Sequence, residues 1–222
     1  MAWRSSGSTN SELIANMAKN GIFSATEVQT AMAKVDRANY VVNKRDAYVD
    51  APSPIGHDAT ISAPHMHAYA TEYLLPFLKP GAKVLDVGSG SGYLCAVFHH
   101  IVAEQGKVVG IDHIPELVRW SVENLKRDGL GQALDSGAIE VVCGDGRQGY
   151  ANAGPYDAIH VGAAAPTLPQ PLVDQLAAPG RMFIPVGDVA QVILLVDKDA
   201  QGNVTKKELM DVRYVPLTDR KK

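Results

Sequence analysis

The segment 57–68, HDATISAPHMHA, places three histidines, a serine and a threonine among small apolar residues. These residue types could form a Ser-His-Asp hydrolase site, a metal site or a loop that holds a substrate. A hydrolase serine favours a G-x-S-x-G turn between a strand and a helix, whereas Ser62 lies in TISAP. His65 and His67 have H-x-H spacing, but no carboxylate or cysteine cluster accompanies them and a helix is predicted to follow, so we predict no metal site. The choice of chemistry therefore depends on the cofactor that the rest of the chain binds.

A glycine-rich loop follows the strand-like run KVLDV. Gly88, Gly90 and Gly92 lie between Asp86 and a predicted helix. Because glycine has no Cβ, such a loop lets backbone N–H groups approach a ligand at a helix N-terminus. A dinucleotide fingerprint, G-x-G-x-x-G/A, needs a small residue where this chain has Tyr93, which disfavours an NAD-dependent oxidoreductase. The G-x-G-x-G pattern instead resembles the loop of class I S-adenosylmethionine-dependent methyltransferases, and we predict S-adenosyl-L-methionine as the cofactor.

Two further acidic residues end the next two strand-like runs. Asp112 follows VVGI, where its carboxylate could accept hydrogen bonds from ribose hydroxyls, and Asp145 follows VVCG, with Gly146 beside it, where it could meet the adenine amino group. Because the carboxyl ends of parallel strands meet at one sheet edge, we expect these acids and Asp86 to surround one ligand.

Short β-rich runs alternate with helix-like segments from residue 83 onward. The runs are KVLDVG, KVVGID, IEVVCGD, YDAIHVGA, RMFIPVG, QVILLVD and ELMDVRYVPL. Alternation with helices implies right-handed crossovers and a parallel sheet, whereas the short turn DAQGN requires the last strand to pair antiparallel. The predicted fold is α/β, a doubly wound, Rossmann-like class I methyltransferase sheet, mostly parallel with an antiparallel last strand.

The N-terminal part is predicted to be helical. Segments 9–12 (TNSE) and 24–27 (SATE) have capping-box spacing and predict two helices, and MHAYATEYLLPFL predicts a third. Prolines and a glycine predict an irregular stretch over YVDAPSPIGHD. We therefore predict a single domain over 1–222, in which 1–80 supplies a helical cap and the active-site loop and 81–222 forms the cofactor-binding core.

Composition limits the partners of the 222-residue chain. A net charge of -3 gives no electrostatic reason to expect nucleic acid or an anionic membrane. No apolar run approaches the roughly 18 residues of a membrane span, and MAWRSSGSTNSE lacks the apolar region of a secretory signal. The two cysteines, Cys95 and Cys143, fall in segments predicted as a buried helix and a buried strand, which argues against a disulfide framework. We expect a cytoplasmic (cytosolic) monomer that binds neither nucleic acid nor a membrane.

Several motifs together resemble one family, the protein-L-isoaspartate (D-aspartate) O-methyltransferases. These motifs are ATISAPHMHA, LDVGSGSGY, GIDHI, GDGRQGYA, PYDAIHVGAAAP, PGRMFIPVG and YVPLTD, and the start MAWRSS agrees with them. The glycine loop is generic to methyltransferases, whereas ATISAPHMHA and HVGAAAP are specific to this family. The resemblance implies methyl esterification of the α-carboxylate of L-isoaspartyl residues in damaged proteins and peptides, which starts repair through a succinimide; D-aspartyl residues are a further candidate substrate.

The resemblance also implies a set of site residues. Ser62 corresponds to the catalytic serine, Thr218 would close the cofactor site, and SPIGHD and RYVPL would hold the peptide. His57 is predicted to lie on the surface, and His65 to be an ordinary loop residue. The implied cofactor-binding residues are Ala59, Thr60, Ile61, Ser62, His67, Asp86, Gly88, Ser89, Gly90, Ser91, Asp112, His113, Asp145, Gly146 and Thr218.

The chemistry explains why such a site contains no strong base. An isoaspartyl α-carboxyl should titrate like a chain terminus, with a pKa of roughly 3.3–3.7, so it is an anionic nucleophile at neutral pH. Alignment of this anion with a sulfonium can lower the barrier by on the order of 7–11 kcal/mol. A neutral hydroxyl donor such as that of Ser62 can hold the carboxylate without greatly lowering its nucleophilicity.

Two other functions remain open at this stage. An amine methyltransferase of this fold often has an Asn/Asp-Pro-Pro-Tyr motif after the fourth strand, where this chain has HVGAAAP. A noncatalytic binding protein with the same fold would be expected to have lost some of Ser62, Asp86, Asp112 and Asp145, which are all present.

Overall fold

The computed structural model of the protein describes residues 5–217. Its regular elements form a small N-terminal layer followed by alternating strands and helices. In chain order they are α1 (Asn10–Lys19), α2 (Thr26–Lys34), β1 (Ser53–Gly56), β2 (Ala59–Ile61), α3 (Pro64–Leu74), β3 (Lys83–Val87), α4 (Tyr93–Val102), β4 (Lys107–Asp112), α5 (Pro115–Arg127), α6 (Gly131–Asp135), β5 (Ile139–Cys143), β6 (Tyr156–Val161), α7 (Gln170–Gln175), β7 (Leu176–Val186), β8 (Gln191–Lys198) and β9 (Val204–Val212). Within residues 5–217, no helix combines the length and apolar character needed to cross a bilayer.

Seven strands form one sheet in the order β5-β4-β3-β6-β7-β8-β9. Strands β3 to β7 run parallel, and the chain moves outward from β3 in opposite directions, to β4 on one side and to β6 on the other. Ligands of such sheets bind at the carboxyl ends of the strands where the order reverses. The predicted fold class is confirmed, and the switch point lies between β3 and β6.

The antiparallel part of the sheet begins one strand earlier than predicted. β9 pairs antiparallel with β8, as the short turn before it indicates, and β8 also pairs antiparallel with β7. Only residues 187–190 join β7 to β8, which is too short for a crossover.

The sheet is covered on both faces, as a parallel sheet must be. One apolar cluster includes Val84, Phe98 of α4 and Met32 of α2, so the N-terminal helices share a core with the sheet. A second cluster, with Leu85 and Val87, fills the opposite face. Alternate side chains of β3 thus enter different clusters, which fixes the strand rigidly beneath the glycine loop.

A polar joint attaches the N-terminal layer to the far end of α5. The Tyr40 hydroxyl donates to one oxygen of Asp128 at 2.8 Å, and the Asn39 side-chain amide donates to the other at 2.6 Å. Asp128 is the C-cap residue of α5. The layer that carries residues 53–62 is therefore fixed relative to the sheet.

Only one of the two predicted N-caps forms at its helix, and there the Glu12 carboxylate accepts hydrogen bonds from Ser8 and does not complete a capping box. The Thr9 hydroxyl accepts a hydrogen bond from the Glu12 N–H and caps α1, as predicted. The prediction for Ser24 is wrong, because α2 has no side-chain cap of its own. Instead the Glu72 carboxylate of α3 accepts hydrogen bonds from the backbone N–H groups of Ser24 and Ala25. A carboxylate is a stronger acceptor than a serine hydroxyl at the positive end of a helix.

The stretch predicted to be irregular contains a β-hairpin. β1 and β2 pair antiparallel, with Gly56 opposite Ala59, and a two-residue turn joins them. Both turn residues have left-handed backbone conformations, with φ of 54° at His57 and 58° at Asp58. Such turns match the twist of a hairpin. The prolines were taken to exclude strands, but each strand of a two-stranded hairpin has an open edge where proline is tolerated.

The environment of Cys143 also differs from the prediction. Its side chain is exposed, whereas Cys95 is buried as expected. β5 is an edge strand of the sheet, and Cys143 is its last residue. Its side chain is therefore less covered by neighbouring elements than that of a residue in a central strand.

Candidate active site

A cleft of about 570 Å³ opens at the carboxyl ends of β3, β4 and β6. Its walls are the glycine loop, the β1–β2 hairpin, the start of α5 and residues 215–217. The volume suits a ligand of nucleoside size. Of the predicted cofactor-binding residues, the cleft is lined by Ala59, Thr60, Gly88, Gly90, Asp112 and His113.

The glycine loop has a backbone that other residues rarely adopt. The φ angles of Gly88, Gly90 and Gly92 are 70°, 51° and 83°, in the left-handed region where a side chain is strained. A Cβ on Gly90 would also lie 3.2 Å from the Ile55 side chain of the hairpin. The glycine loop and the hairpin therefore lie close together. Because the loop has no side chains at its glycines, a planar group in the cleft can contact its backbone directly.

Asp112 connects the glycine loop to the cleft wall. Its Oδ2 accepts a hydrogen bond from the Gly90 N–H and its Oδ1 one from the Ile114 N–H, both at 3.0 Å. Burial raises the pKa of the carboxyl, and these backbone hydrogen bonds oppose the rise. A carboxylate has about four acceptor positions, so two donors leave capacity for ribose hydroxyls.

Asp86 lies deeper than Asp112, under the glycine loop. Its carboxylate is 2 % exposed, and its Oδ1 is 2.7 Å from Nδ1 of His160, which is its register partner on β6. The Cys95 thiol approaches the other oxygen at 3.4 Å. Asp86 and His160 line a small polar cavity of about 30 Å³ that shares Gly88 and Gly90 with the cleft.

The small cavity also brings together the other residues predicted from the motifs. The Ser89 hydroxyl is buried without a hydrogen-bond partner, as expected of a group that faces a ligand or a water. Because an unpaired polar atom and a glycine cradle lie together, the residues fit a nucleoside cofactor with a polar tail. The predicted residues that line this cavity are Thr60, Ile61, Ser62, His67, Asp86, Gly88, Ser89, Gly90 and Ser91.

Ser62 directly follows β2 and is held by a residue that the motifs did not indicate. Arg37 is 1 % exposed, and its Nη2 donates to the Ser62 carbonyl at 2.8 Å. Its guanidinium also lies 5.5 Å from the centre of the Tyr93 ring. Burial lowers the pKa of Arg37 to about 10, so the group stays charged at neutral pH. An arginine in a helical segment gives no sequence signal of burial, since arginine is usually exposed.

His67 completes the wall beside Ser62. Its ring stacks on Tyr93 with centroids 4.9 Å apart, and its Nδ1 lies 3.4 Å from Arg37 Nη1. Burial, followed by the charge of Arg37, holds the pKa of His67 well below its usual value, so the ring is neutral at physiological pH. A neutral Nδ1 can accept the Arg37 hydrogen bond.

The remaining histidines of the segment are outside the cleft or at its rim. His65 Nδ1 lies 2.8 Å from the buried carboxylate of Asp50, which also accepts the His65 backbone N–H. His57 is exposed in the hairpin turn, as predicted. Across residues 5–217, no three side chains of metal-binding type are arranged to hold an ion.

Three predicted residues are not placed at the cleft. Asp145 is exposed and forms a paired contact with Arg147, with both N···O distances 2.9 Å. Gly146 is buried where a Cβ would lie 2.5 Å from Val87, so close packing requires glycine there. Thr218 lies outside the described residues. The base-binding role of Asp145 and Gly146 and the closing role of Thr218 stay predictions.

A family model described as protein-L-isoaspartate(D-aspartate) O-methyltransferase matches residues 8–222. The chain belongs to this family. Protein-L-isoaspartate O-methyltransferase 1 of Arabidopsis thaliana is 50% identical over 216 residues, which cover 97% of this chain and 94% of the relative. The Caenorhabditis elegans protein-L-isoaspartate O-methyltransferase is 50% identical over 222 residues, 99% of this chain and 97% of the relative.

Solved structures agree with the family assignment. A Plasmodium falciparum chain, named as a protein-L-isoaspartate O-methyltransferase and solved with S-adenosyl-L-homocysteine, is 36% identical and has a TM-score of 0.88. The match covers 96% of this methyltransferase chain and 99% of that chain. A second structure named as a protein-L-isoaspartate O-methyltransferase, 24% identical with a TM-score of 0.81, covers 93% of this chain and 65% of the other and shows the same fold.

Proposed function

We propose that this chain catalyses the S-adenosylmethionine-dependent methyl esterification of the α-carboxylate of L-isoaspartyl residues in damaged proteins and peptides. The observation that carries the proposal is the family match over residues 8–222, which includes both Ser62 and the glycine loop. The cleft supports it, because it provides a place for a nucleoside, and Ser62 lines the small polar cavity that adjoins it.

S-adenosyl-L-methionine is the cofactor of this methyltransferase and, when bound, supplies an electrophilic methyl group. The glycine loop and the backbone of residues 59–62 would hold it, with Asp112 and His113 at the ribose and base. The buried Ser89 hydroxyl and Asp86 lie where a polar tail would need partners. Asp145, Gly146 and Thr218 are proposed as further contacts from their motifs alone.

The residues around Ser62 suit an acceptor that is already ionised. The Ser62 hydroxyl is a neutral donor that can orient a carboxylate oxygen, and the neutral His67 ring beside it adds no second charge. The Arg37 guanidinium, buried behind the Ser62 carbonyl, contributes a positive potential that favours an anion. No group has to remove a proton, so positioning and exclusion of water are the main tasks of the protein.

The peptide around the damaged residue would lie between the hairpin and the segment that follows β9. We propose that residues 53–58 and 213–217 bind its main chain through backbone hydrogen bonds, with little selection of side chains. Such binding suits an enzyme that repairs many different sequences. D-aspartyl residues are a further proposed substrate.

The organisation and setting of the enzyme belong to the same proposal. A continuous apolar cluster that includes α1, α2 and α4 supports one domain, with 1–80 as cap and active-site loop and 81–222 as cofactor-binding core. Two free cysteines suit a reducing compartment, and we propose a cytosolic monomer whose partners are isoaspartyl proteins.

A labelling experiment tests the activity. The enzyme is offered methyl-labelled S-adenosylmethionine with two matched peptides, one isoaspartyl and one with normal aspartate. We expect label in a base-labile ester on the isoaspartyl peptide alone. Equal labelling of both peptides, or label on an amine, would refute the repair activity.

Substitution of Ser62 tests its role. Ser62→Ala should bind the cofactor as the wild type does and transfer methyl groups more slowly to the isoaspartyl peptide. Ser11→Ala, on the exposed face of α1, is the matched control and should leave both properties unchanged. A Ser62→Ala enzyme with normal turnover, or one that no longer binds the cofactor, would show that the assigned role is wrong.

A further inference from the structure

His160 is a buried histidine of β6 beside the small polar cavity. It is the register partner of Asp86 on β3, and its side chain is 6% exposed. Its ring stacks on Phe183 with centroids 6.2 Å apart and meets the ring of Phe98 edge-on at 6.1 Å. Two aromatic contacts and a central strand therefore hold the imidazole in one orientation.

This orientation directs one ring nitrogen at Asp86. Nδ1 of His160 lies 2.7 Å from Oδ1 of the buried carboxylate. An ionised carboxylate only accepts hydrogen bonds, so Nδ1 carries a proton and is the donor. Burial raises the pKa of the Cys95 thiol well above its usual value, so the thiol stays protonated and donates to Oδ2 of Asp86 at 3.4 Å. Each carboxylate oxygen thus has a donor from the protein.

The Asp86 carboxylate keeps acceptor capacity toward the small cavity. An ionised carboxylate has about four acceptor positions, of which His160 and Cys95 use two. The cavity of about 30 Å³ has space for about two water molecules or for an ammonium group of similar size. Among residues 5–217, Asp86 is the only acidic residue that lines it. A buried cation needs a paired anion, so the cavity favours an amino group and disfavours a second carboxylate.

We propose that His160 is a positioning residue that holds Asp86 toward the amino group of the cofactor's amino-acid tail. The inference rests on the proposed cofactor role of Asp86. The cavity shares Gly88 and Gly90 with the cleft proposed for the nucleoside, so a tail that extends from the nucleoside can reach it. A carboxylate that is already fixed loses little conformational freedom when the ligand binds, which raises affinity.

The pair should therefore distinguish ligands with the tail from ligands without it. S-adenosyl-L-homocysteine has the tail, whereas 5′-methylthioadenosine has the same adenosine and a thioether but no amino group. Calorimetric titration of the protein with each ligand separates binding of the tail from binding of the nucleoside, and it requires no turnover.

His160→Leu removes the donor to Asp86, and the buried carboxylate then rotates or takes up a proton. We expect the affinity for S-adenosyl-L-homocysteine to fall by roughly tenfold, the effect of one strong hydrogen bond, and the affinity for 5′-methylthioadenosine to stay unchanged. His160→Asn keeps an N–H near the position of Nδ1 and should bind both ligands within about threefold of the wild type. His99→Leu is the matched control, because His99 is a buried histidine of α4 whose Nδ1 has no hydrogen-bond partner, and it should leave both affinities unchanged.

The loss for one ligand alone and its rescue by asparagine separate positioning from structural support. Melting temperatures show that each variant is folded. If His160→Leu does not fold, His160→Gln replaces it, because its longer side chain carries the amide past the position of Nδ1. An equal loss for both ligands, no loss for either, or a His160→Asn affinity as low as that of the deletion variant would overturn the proposal. The labelling assay tests methyl transfer separately, so such a result would leave the proposed function standing.

Discussion

Arg37 is the residue that best shows how the site is built around a buried charge. Its guanidinium is buried, its Nε has no hydrogen-bond partner, and it forms no ion pair with a described residue. Burial of a charge is unfavourable unless the group is paired. We infer that Arg37 is retained for its hydrogen bonds to the Ser62 carbonyl and to His67, and for its field at the carboxylate site.

Arg37→Met should therefore affect turnover more than stability. Methionine fills a similar volume and removes the desolvation cost of the charge, while the Ser62 carbonyl loses its donor. We expect the free energy of unfolding to change by less than about 3 kcal/mol and kcat/KM for an isoaspartyl peptide to fall more than tenfold. Urea denaturation and the labelling assay measure the two effects. Full activity would contradict the inferred role of Arg37.

Asp112 offers a second test, of the link between the loop and the cofactor. In Asp112→Asn one amide N–H₂ must face either the Gly90 or the Ile114 N–H, which places two donors together. We expect the affinity for S-adenosylmethionine to fall by about tenfold or more, since a hydrogen bond to a charged group is worth about 1.5–3 kcal/mol. Calorimetric titration measures it. Asp135→Asn, exposed at the end of α6, is the control and should bind normally.

The residues that sequence could identify are those whose local pattern is sufficient. The glycine loop and Asp112 were predictable because strand, glycines and strand-end acid follow each other in one pattern. Arg37 was not, because its role depends on the tertiary packing of Tyr93 and His67 around it.

Elements follow the same division. The helices and the parallel strands were predictable from period and caps, whereas the start of α2 depends on Glu72 of α3 and the hairpin depends on a left-handed turn without glycine. Both features arise from partners or conformations outside the local pattern. The helices of the N-terminal layer were thus predicted correctly, whereas the cap of α2 and the β1–β2 hairpin were not.

Glu72→Ala should loosen the contact between α2 and α3. The first turn of α2 would lose the acceptor for the Ser24 and Ala25 N–H groups, and we expect a loss of about 1–2 kcal/mol in the free energy of unfolding. Turnover per folded enzyme should change little. Urea denaturation measures the loss, and Glu123→Ala, exposed on α5, should stay within about 0.5 kcal/mol of the wild type. Equal stability of the two variants would contradict the cap.

For the whole molecule, three histidines with lowered pKa values contribute to the response to mild acid. Burial lowers the pKa of His67, His99 and His100, that of His100 to about 4. As pH falls below the ordinary histidine value of about 6.5, the unfolded chain takes up protons that the folded chain does not. The unfolded state then binds more protons, so stability decreases with falling pH in this range.

We therefore expect the free energy of unfolding to fall between pH 7 and pH 5.5. His100→Gln should make this fall shallower, because one depressed pKa is removed. Urea denaturation at several pH values measures the slope. A His100→Gln profile parallel to that of the wild type would count against the buried histidine as the cause.

One wall of the cleft is supplied late in biosynthesis. The backbone N–H of Ala164 donates to the Val215 carbonyl, and the N–H of Leu217 donates to the Ala164 carbonyl, both at 2.8 Å. Residues 215–217 are therefore hydrogen-bonded to the loop that follows β6. A growing polypeptide acquires the glycine loop and Ser62 long before residues 215–217. This wall of the cleft can therefore form only after more than two hundred residues have been translated.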